Sequence, residues 1–135
     1  FPWHQDNGYT FIEPQAYLTC WVALTDTDET NGCPCVLPGL HRHGTLHHDT
    51  TDLGHEIELD STDSLSIPLK AGSIAIFSSL TPHRTGPNLS DKVRKSYILQ
   101  YAPEGARRLI SHTLTEEVND ESRQFLILKD GLAVD

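Results

Sequence analysis

The chain has 135 residues, of which 37% are hydrophobic, and a formal net charge of −9, which fits one soluble domain with a core of its own. The negative charge argues against a nucleic-acid partner, because phosphate binding needs clustered Lys and Arg. No apolar run approaches the ~20 residues of a membrane helix, and no secretory signal precedes the domain, so we expect a cytoplasmic protein without a membrane partner.

The first informative feature along the chain is the sequence His4-Gln5-Asp6. Side chains alternate between the faces of a strand, so His4 and Asp6 would project to one side while Gln5 points away. An imidazole and a carboxylate on one face can bind the same metal ion. The motif alone is weak evidence, because a single histidine is more often a solvated or hydrogen-bonded side chain.

Most of the chain has the pattern of short strands. The predicted strands cover residues 16–25, 64–69, 73–77, 96–101 and 124–128, where β-branched and aromatic residues cluster or alternate with polar ones. Gly and Pro turns separate these segments, and no long segment has the period of a helix. The pattern predicts an all-β fold, a sandwich or barrel-like roll, in a single domain over residues 1–135.

The three cysteines, Cys20, Cys33 and Cys35, cannot all form disulfides with one another. Cys33-Pro34-Cys35 lacks the two-residue gap that is usual in zinc and redox motifs, and no second cysteine pair completes a metal site. We therefore expect Cys20 in the core and the other two as reduced thiols near a turn.

Residues 49–63 contain six acids and no Lys or Arg, which predicts a solvated loop or an irregular edge. Several histidines precede this segment, in His41-Arg42-His43 and in His47-His48. A second metal site there is a weaker interpretation than ordinary polar loop histidines, because these residues have no matching ligands elsewhere.

Residues 83–94 contain turn chemistry at Gly86-Pro87-Asn88. If residues 87–90 form a hairpin loop, His83 lies opposite Arg94, and His83, Thr85 and Arg94 share one face. A guanidinium beside a metal ligand suits bidentate binding of a carboxylate, and the hydroxyl of Thr85 can add a hydrogen bond. The alternative for Arg94 is an exposed cation of the hairpin.

Together, His4, Asp6 and His83 provide two imidazoles and one carboxylate. This is the ligand set of a facial-triad iron(II) site, which leaves the opposite coordination face open for a cosubstrate and dioxygen. With Arg94 nearby, the sequence predicts a small dicarboxylate cosubstrate that binds the metal at one end and the guanidinium at the other.

In order and spacing, the chain resembles the phytanoyl-CoA dioxygenase family from residue 3 to residue 101. The matching segments are residues 4–6, 17–24, 31–33, 36–42 and 83–94. The resemblance implies an iron(II)- and 2-oxoglutarate-dependent oxygenase with a double-stranded β-helix core, the cupin-like jelly roll. It implies that His4, Asp6 and His83 hold iron at the catalytic centre.

The resemblance also implies roles around the metal. Arg94 and Thr85 would hold the 2-oxoglutarate carboxylate that lies away from iron, and Trp21 would line the cosubstrate pocket. An aromatic residue on an apolar strand is also consistent with plain core. Because the loop after the Pro-Gly turn often borders the substrate opening in this family, Arg42, His43 and His47 are candidate substrate contacts.

The implied reaction is hydroxylation of an unactivated C–H bond of a small organic substrate, with release of succinate and CO2. The retained carboxylate of Asp6 favours hydroxylation over halogenation. The family places helices and the first strands upstream, and this chain contains no methionine, so we expect a catalytic-core fragment. The sequence specifies neither the primary substrate nor the oligomeric state.

Two other classes of protein fit the same ligands. One is a noncatalytic, cupin-like module that binds a metal or a small molecule, against which the position of Arg94 argues. The other is a zinc hydrolase with a zinc-bound water, for which no additional general base is evident.

Overall fold

Strands supply almost all of the regular structure in this computed structural model, which describes residues 1–15, 17–111, 113 and 115–134. The strands are β1 (Ile12–Glu13), β2 (Leu18–Ala23), β3 (Pro34–Val36), β4 (Asp49–Thr51), β5 (Gly54–Glu56), β6 (Leu65–Ser66), β7 (Ile74–Ser78), β8 (His83–Thr85), β9 (Ser96–Tyr101), β10 (Arg107–Leu109), β11 (Thr115–Glu117), β12 (Leu128–Lys129) and β13 (Leu132–Ala133). The helices are single turns, α1 (Asp6–Tyr9) and a 3-10 helix (Leu40–His43). The described residues confirm the all-β prediction, and none of their helices is long and apolar enough to span a membrane.

The strand β2 is the centre of an antiparallel sheet, with β7 on one side and β9 on the other. Its burial alternates, because Thr19, Trp21 and Ala23 are buried while the residues between them are more exposed, as a half-buried strand requires. The register places Thr19 directly opposite Phe77 of β7 and Gln100 of β9. These residues therefore lie on one face of the sheet.

A second antiparallel sheet has the strand order β6-β3-β8, and His4 extends it through an isolated bridge to His83. The predicted hairpin is wrong, since β8 pairs with β3 and β9 pairs with β2. The intervening loop instead docks on residues 30–32. The amide of Leu89 donates to the carbonyl of Thr30, and Gly32 approaches the Gly86 carbonyl so closely that a Cβ there would lie 2.4 Å from its oxygen.

A small apolar cluster packs against the sheet that β2 centres. Its buried members are Trp21, Ala23 and Ala75, with Ile67, Leu69 and Phe77 partly buried against them. A second cluster contains Trp3, Cys35 and Leu37. The site residues on β2 and β8 thus project from a packed framework.

The bounds of the predicted strands agree best in the sheet that contains β2. The strand β9 has the bounds predicted for residues 96–101, and β2 and β7 lie within or one residue from theirs. Ala16, the first residue of the predicted segment 16–25, lies outside the described residues. Of residues 64–69, only Leu65–Ser66 is a strand, and Leu69 forms an isolated bridge to Thr27.

Two other expectations about the chain need correction. Residues 124–127 are not a strand, because the backbone finds a partner only near β12, which forms a hairpin with β13. Residues 49–56 form the hairpin of β4 and β5 rather than an irregular loop.

All three cysteines are free, as expected, but Cys20 is only half-buried, whereas Cys33 and Cys35 are buried. The prediction for Cys20 is wrong because it occupies the outward face of β2, alternate to Thr19 and Trp21. Burial raises the pKa of the Cys33 thiol, so this side chain behaves as a small apolar residue rather than as a reactive thiolate.

Candidate metal and cosubstrate site

The structure brings His4, Asp6 and His83 together as a group of metal-ligand side chains. Nε2 of His4 lies 3.8 Å from Oδ1 of Asp6, and Nε2 of His83 lies 3.7 Å from the same oxygen. The three ligand atoms lie within 4.8 Å of one another. Metal–ligand bonds of ~2.0–2.2 Å place the facial ligands of one ion about 3 Å apart, so modest side-chain shifts would bring these atoms to the separations that a bound ion requires.

The bridge between the two histidines fixes their side chains on one face. The amide of His4 donates to the carbonyl of His83 at 3.0 Å, the amide of His83 donates back at 2.9 Å, and the ring centroids are 4.2 Å apart. The sequence predicted that Asp6 lies on a strand, but the chain turns into α1 at this residue. The helical turn brings the carboxylate to the same side as the imidazoles.

Gln5 does not point away from the protein. It is fully buried, and its side-chain nitrogen Nε2 donates to the carbonyls of Leu80 at 2.6 Å and Gly44 at 3.0 Å. Its side-chain oxygen accepts a hydrogen bond from the amide of Leu46 at 2.7 Å. A buried polar side chain is tolerated when its hydrogen bonds are made, and these three bonds anchor the ligand-bearing segment to two loops.

Backbone carbonyls orient both imidazoles. Nδ1 of His4 is 2.8 Å from the carbonyl oxygen of Pro2, and Nδ1 of His83 is 2.9 Å from that of Thr81. A carbonyl only accepts, so this network assigns the proton to Nδ1 and leaves the lone pair of Nε2 free for a metal. Burial, and then the neighbouring His83, lowers the pKa of His4 from 6.5 to about 4, which keeps this ring in the neutral form that metals bind.

The two oxygens of Asp6 have different surroundings. Oδ1 faces the two imidazoles, whereas Oδ2 accepts a hydrogen bond from the hydroxyl of Thr19 on β2. Thr19 has 2% exposure, and its hydroxyl also lies 3.5 Å from the amide nitrogen of Gln100. Sequence reasoning missed this residue, although the alternation of β2 places it on the face of Trp21.

Trp21 and Arg94 are in contact. The guanidinium carbon of Arg94 lies 5.9 Å from the centroid of the buried Trp21 ring, a distance at which a cation is attracted to the ring face. Trp21 follows Thr19 by two residues on β2, so the indole and the hydroxyl share one face and lie about 7 Å apart along the strand. Arg94 is half-buried.

Thr85 is two residues after His83 on β8, so the alternation of the strand places it on the face of His83. It is half-buried and lies opposite Pro34 of β3. The structure therefore joins Arg94 to Trp21, and it relates Thr85 to the metal ligands through the register of β8.

The three candidate substrate contacts are all exposed, and His47 pairs with Asp49 at 3.3 Å. Arg42 and His43 belong to the 3-10 helix. The loop instead places His48 against the ligand segment, because the backbone amide of Gln5 donates to its Nε2 at 3.0 Å. Substrate contact by the three exposed residues stays a prediction.

Aromatic rings border the ligands on two sides. The ring of Tyr9 stands edge-on to His4, with centroids 5.2 Å apart, and packs against His55 at 4.8 Å. The ring of Phe77 lies 4.6 Å from that of His83. Sequence reasoning did not identify Tyr9 or His55, because their proximity depends on the docking of the β4–β5 hairpin.

Comparison with known proteins agrees with this geometry. The family model described as phytanoyl-CoA dioxygenase (PhyH) matches residues 1–96. A phytanoyl-CoA dioxygenase of Arabidopsis thaliana is 34% identical over 102 residues, which cover 71% of this chain and 36% of that protein. A methylphosphonate hydroxylase of Gimesia maris is 33% identical over 99 residues, which cover 73% of this chain and 37% of that protein.

A solved structure supports the same fold. The chain superposes on EvdO2 of Micromonospora carbonacea var. aurantiaca, solved in complex with 2-oxoglutarate, with a TM-score of 0.67 and 29% identity. The match covers 88% of this chain and 47% of EvdO2, and it confirms the predicted jelly-roll fold. The chain thus spans less than half the length of each of these proteins. Its ordered motifs, its fold and the family match together place this chain in the phytanoyl-CoA dioxygenase (PhyH) family.

Proposed function

We propose that this chain is the catalytic core of an iron(II)- and 2-oxoglutarate-dependent oxygenase, which uses O2 to hydroxylate a C–H bond of a small organic substrate. The observation that carries the proposal is the convergence of His4, Asp6 and His83, with Arg94 held on Trp21 of the neighbouring strand face. A metal centre and a carboxylate anchor in one site suit a cosubstrate with an acidic group at each end.

The donor set fits iron(II). Two neutral imidazoles and one carboxylate are the facial ligands of non-haem iron oxygenases, and they leave coordination positions open. When bound at these residues, iron(II) supplies the redox chemistry by which 2-oxoglutarate and O2 become succinate and CO2 while a substrate C–H bond becomes C–OH. EvdO2, which shares the fold, has been solved with 2-oxoglutarate, and this supports the same cosubstrate here.

Each ligand has a defined task. His4 and His83 present Nε2 because Pro2 and Thr81 hold their Nδ1 protons. Asp6 presents a single oxygen, Oδ1, and its negative charge offsets part of the charge of a bound cation. These roles need no large movement, since the ligand atoms of the three side chains already lie within 4.8 Å of one another.

Arg94 would bind the 2-oxoglutarate carboxylate that lies away from the metal. Among the described residues no carboxylate forms an ion pair with Arg94, so its planar set of donors is free for a bidentate contact. The face of Trp21 holds the guanidinium in place and would form a wall of the cosubstrate pocket. Thr85, on the His83 face of β8, would add a hydroxyl hydrogen bond.

The aromatic rings around the site would limit the access of water. Phe77 covers one side of His83, and Tyr9 covers one edge of His4. Excluding water strengthens the electrostatic contacts inside a site and suppresses side reactions. The exclusion matters here because an oxidant formed without a positioned substrate would attack the protein itself.

Hydroxylation is the reaction class that we favour. The Gimesia maris relative is named a methylphosphonate hydroxylase, and Asp6 keeps the carboxylate ligand that hydroxylation uses. A cytoplasmic location and the absence of a nucleic-acid or membrane partner remain predictions from composition.

An anaerobic titration of the full-length protein tests the proposal. Iron(II) and 2-oxoglutarate together should give a visible charge-transfer band that neither gives alone. Asp6→Ala and His83→Ala should abolish the band and iron-dependent succinate release, while circular dichroism shows that both variants are folded. A metal-binding module or a zinc hydrolase would bind metal without the band, and undiminished succinate release by either variant would refute the ligand assignment.

A further inference from the structure

We propose that Thr19 is a positioning residue that sets the metal-binding mode of Asp6. The hydroxyl of Thr19 holds Oδ2 of the carboxylate, so that Oδ1 alone is offered to the metal. The proposal rests on the metal site of the proposed function, but it does not depend on the oxidation that follows.

The first support is that the two carboxylate oxygens of Asp6 have different partners. Oδ1 lies 3.8 Å and 3.7 Å from Nε2 of His4 and His83, whereas Oδ2 accepts the hydrogen bond from Thr19. An ionised carboxylate has no proton to give, so the hydroxyl of Thr19 must be the donor. One oxygen is thereby occupied before any metal binds.

The second support is that the hydroxyl is held rigidly. Thr19 has 2% exposure on the central strand β2, with Phe77 and Gln100 directly opposite it on the two neighbouring strands. The amide nitrogen of Gln100 lies 3.5 Å from the hydroxyl oxygen and can occupy one of its lone pairs. The single hydroxyl proton of Thr19 therefore points to Asp6.

This arrangement has a consequence for the open coordination positions. A hydrogen bond to one carboxylate oxygen takes up one of its lone pairs and favours metal binding through the other oxygen. Without the hydroxyl of Thr19, Oδ2 is free to bind the same ion, and the carboxylate is free to turn about its last side-chain bond. Either change would occupy or shift a position that the cosubstrate or O2 needs, and residues that orient a ligand in this way typically tune metal affinity.

Thr19→Val tests the proposal, because valine keeps the shape of threonine and removes the hydrogen-bond donor. The probe is Co(II), whose visible spectrum reports its coordination number without O2 chemistry. We expect the dissociation constant for Co(II) to rise roughly 10- to 100-fold and the intensity of the Co(II) absorption bands to change. Thr19→Ser, which keeps the hydroxyl, should restore the wild-type spectrum and most of the affinity.

Two further variants complete the experiment. Thr27→Val is the matched control, since Thr27 is a buried threonine with 4% exposure whose hydroxyl accepts from the amide of Leu69 instead; it should leave Co(II) binding unchanged. Thr19→Ala removes the same hydroxyl without adding a branched side chain, and it should alter Co(II) binding in the same way as Thr19→Val. It takes the place of Thr19→Val if valine prevents folding. Circular dichroism and thermal unfolding report whether each variant is folded.

The outcomes separate this inference from the proposed function. Wild-type affinity and an unchanged Co(II) spectrum in a folded Thr19→Val or Thr19→Ala would overturn the role of Thr19, even if Asp6→Ala loses the metal. Conversely, altered Co(II) binding in these variants, in a protein that never turns over 2-oxoglutarate, would uphold the role of Thr19 while the oxygenase assignment fails.

Discussion

Removing the guanidinium of Arg94 should weaken the binding of 2-oxoglutarate far more than it affects the fold. Hydrogen bonds to charged groups contribute roughly 1.5–3 kcal/mol each, and a bidentate contact is stronger than a single bond. Because Arg94 is only half-buried, solvent screens part of this contact, and we take about 2–3 kcal/mol for the pair of bonds. That energy corresponds to roughly 30- to 150-fold in the dissociation constant.

The assay is anaerobic titration of 2-oxoglutarate into the iron(II)-loaded protein, followed by the charge-transfer band. Arg94→Ala should raise the half-saturating concentration by the factor above and leave iron binding unchanged. Arg94→Lys keeps the charge but not the planar pair of donors, so its effect should be intermediate, about tenfold.

The chain offers a matched control in Arg84. Its guanidinium carbon lies 5.1 Å from the centroid of the Trp3 ring, so it too contacts an indole, but it is exposed and alternates with His83 on β8. Arg84→Ala should change the 2-oxoglutarate requirement less than about threefold. An unchanged 2-oxoglutarate requirement in Arg94→Ala, or equal effects of both variants, would show that Arg94 is a surface cation without a role in binding 2-oxoglutarate.

Two predictions concern the scaffold of the ligands. Gln5→Leu removes three buried or half-buried hydrogen bonds and leaves backbone groups unsatisfied, so the free energy of unfolding measured in urea should fall by about 3 kcal/mol. A loss below about 1 kcal/mol would contradict this role. Burial lowers the pKa of His4 to about 4 in the fold, against 6.5 for an ordinary histidine, so the unfolded chain takes up a proton first as the pH falls. The free energy of unfolding of the metal-free protein should therefore decrease between pH 6.5 and 4 by up to about 3 kcal/mol, and an equal decrease in His4→Gln would contradict the assignment.

The sequence predicted the elements whose signal is local. The strand β9 has the predicted bounds, and β2 lies within its predicted segment, because runs of β-branched and aromatic residues mark a strand locally. The sequence also predicted that three distant side chains would meet, since their chemical types are restricted and the family motif fixes their order. His4, Asp6 and His83 converge as this reasoning required.

Features that depend on a distant partner could not be predicted in this way. The segment 83–94 has the turn residues of a hairpin, yet β8 pairs with β3, because the choice of partner strand is made by the whole fold. Gln5 carries no sign of burial in its local sequence, since its three hydrogen-bond partners are 39 to 75 residues away. The proximity of His48 to the ligand segment likewise needs Gly8, where a Cβ would lie 2.2 Å from the imidazole.

The face of β2 that carries Thr19 and Trp21 links the proposed metal ligand, Asp6, to the proposed cosubstrate anchor, Arg94. Thr19 contacts Asp6, and Trp21, two residues further along, contacts Arg94. Because side chains alternate strictly along a strand, shifting β2 by one residue would turn both contacts to the opposite face at once. The proposed spacing of the metal and the carboxylate anchor is therefore set by one strand between two neighbours, rather than by the helical turn that carries Asp6 and the loop that carries Arg94. A site built in this way can keep the same distance for its cosubstrate while the loops around it change.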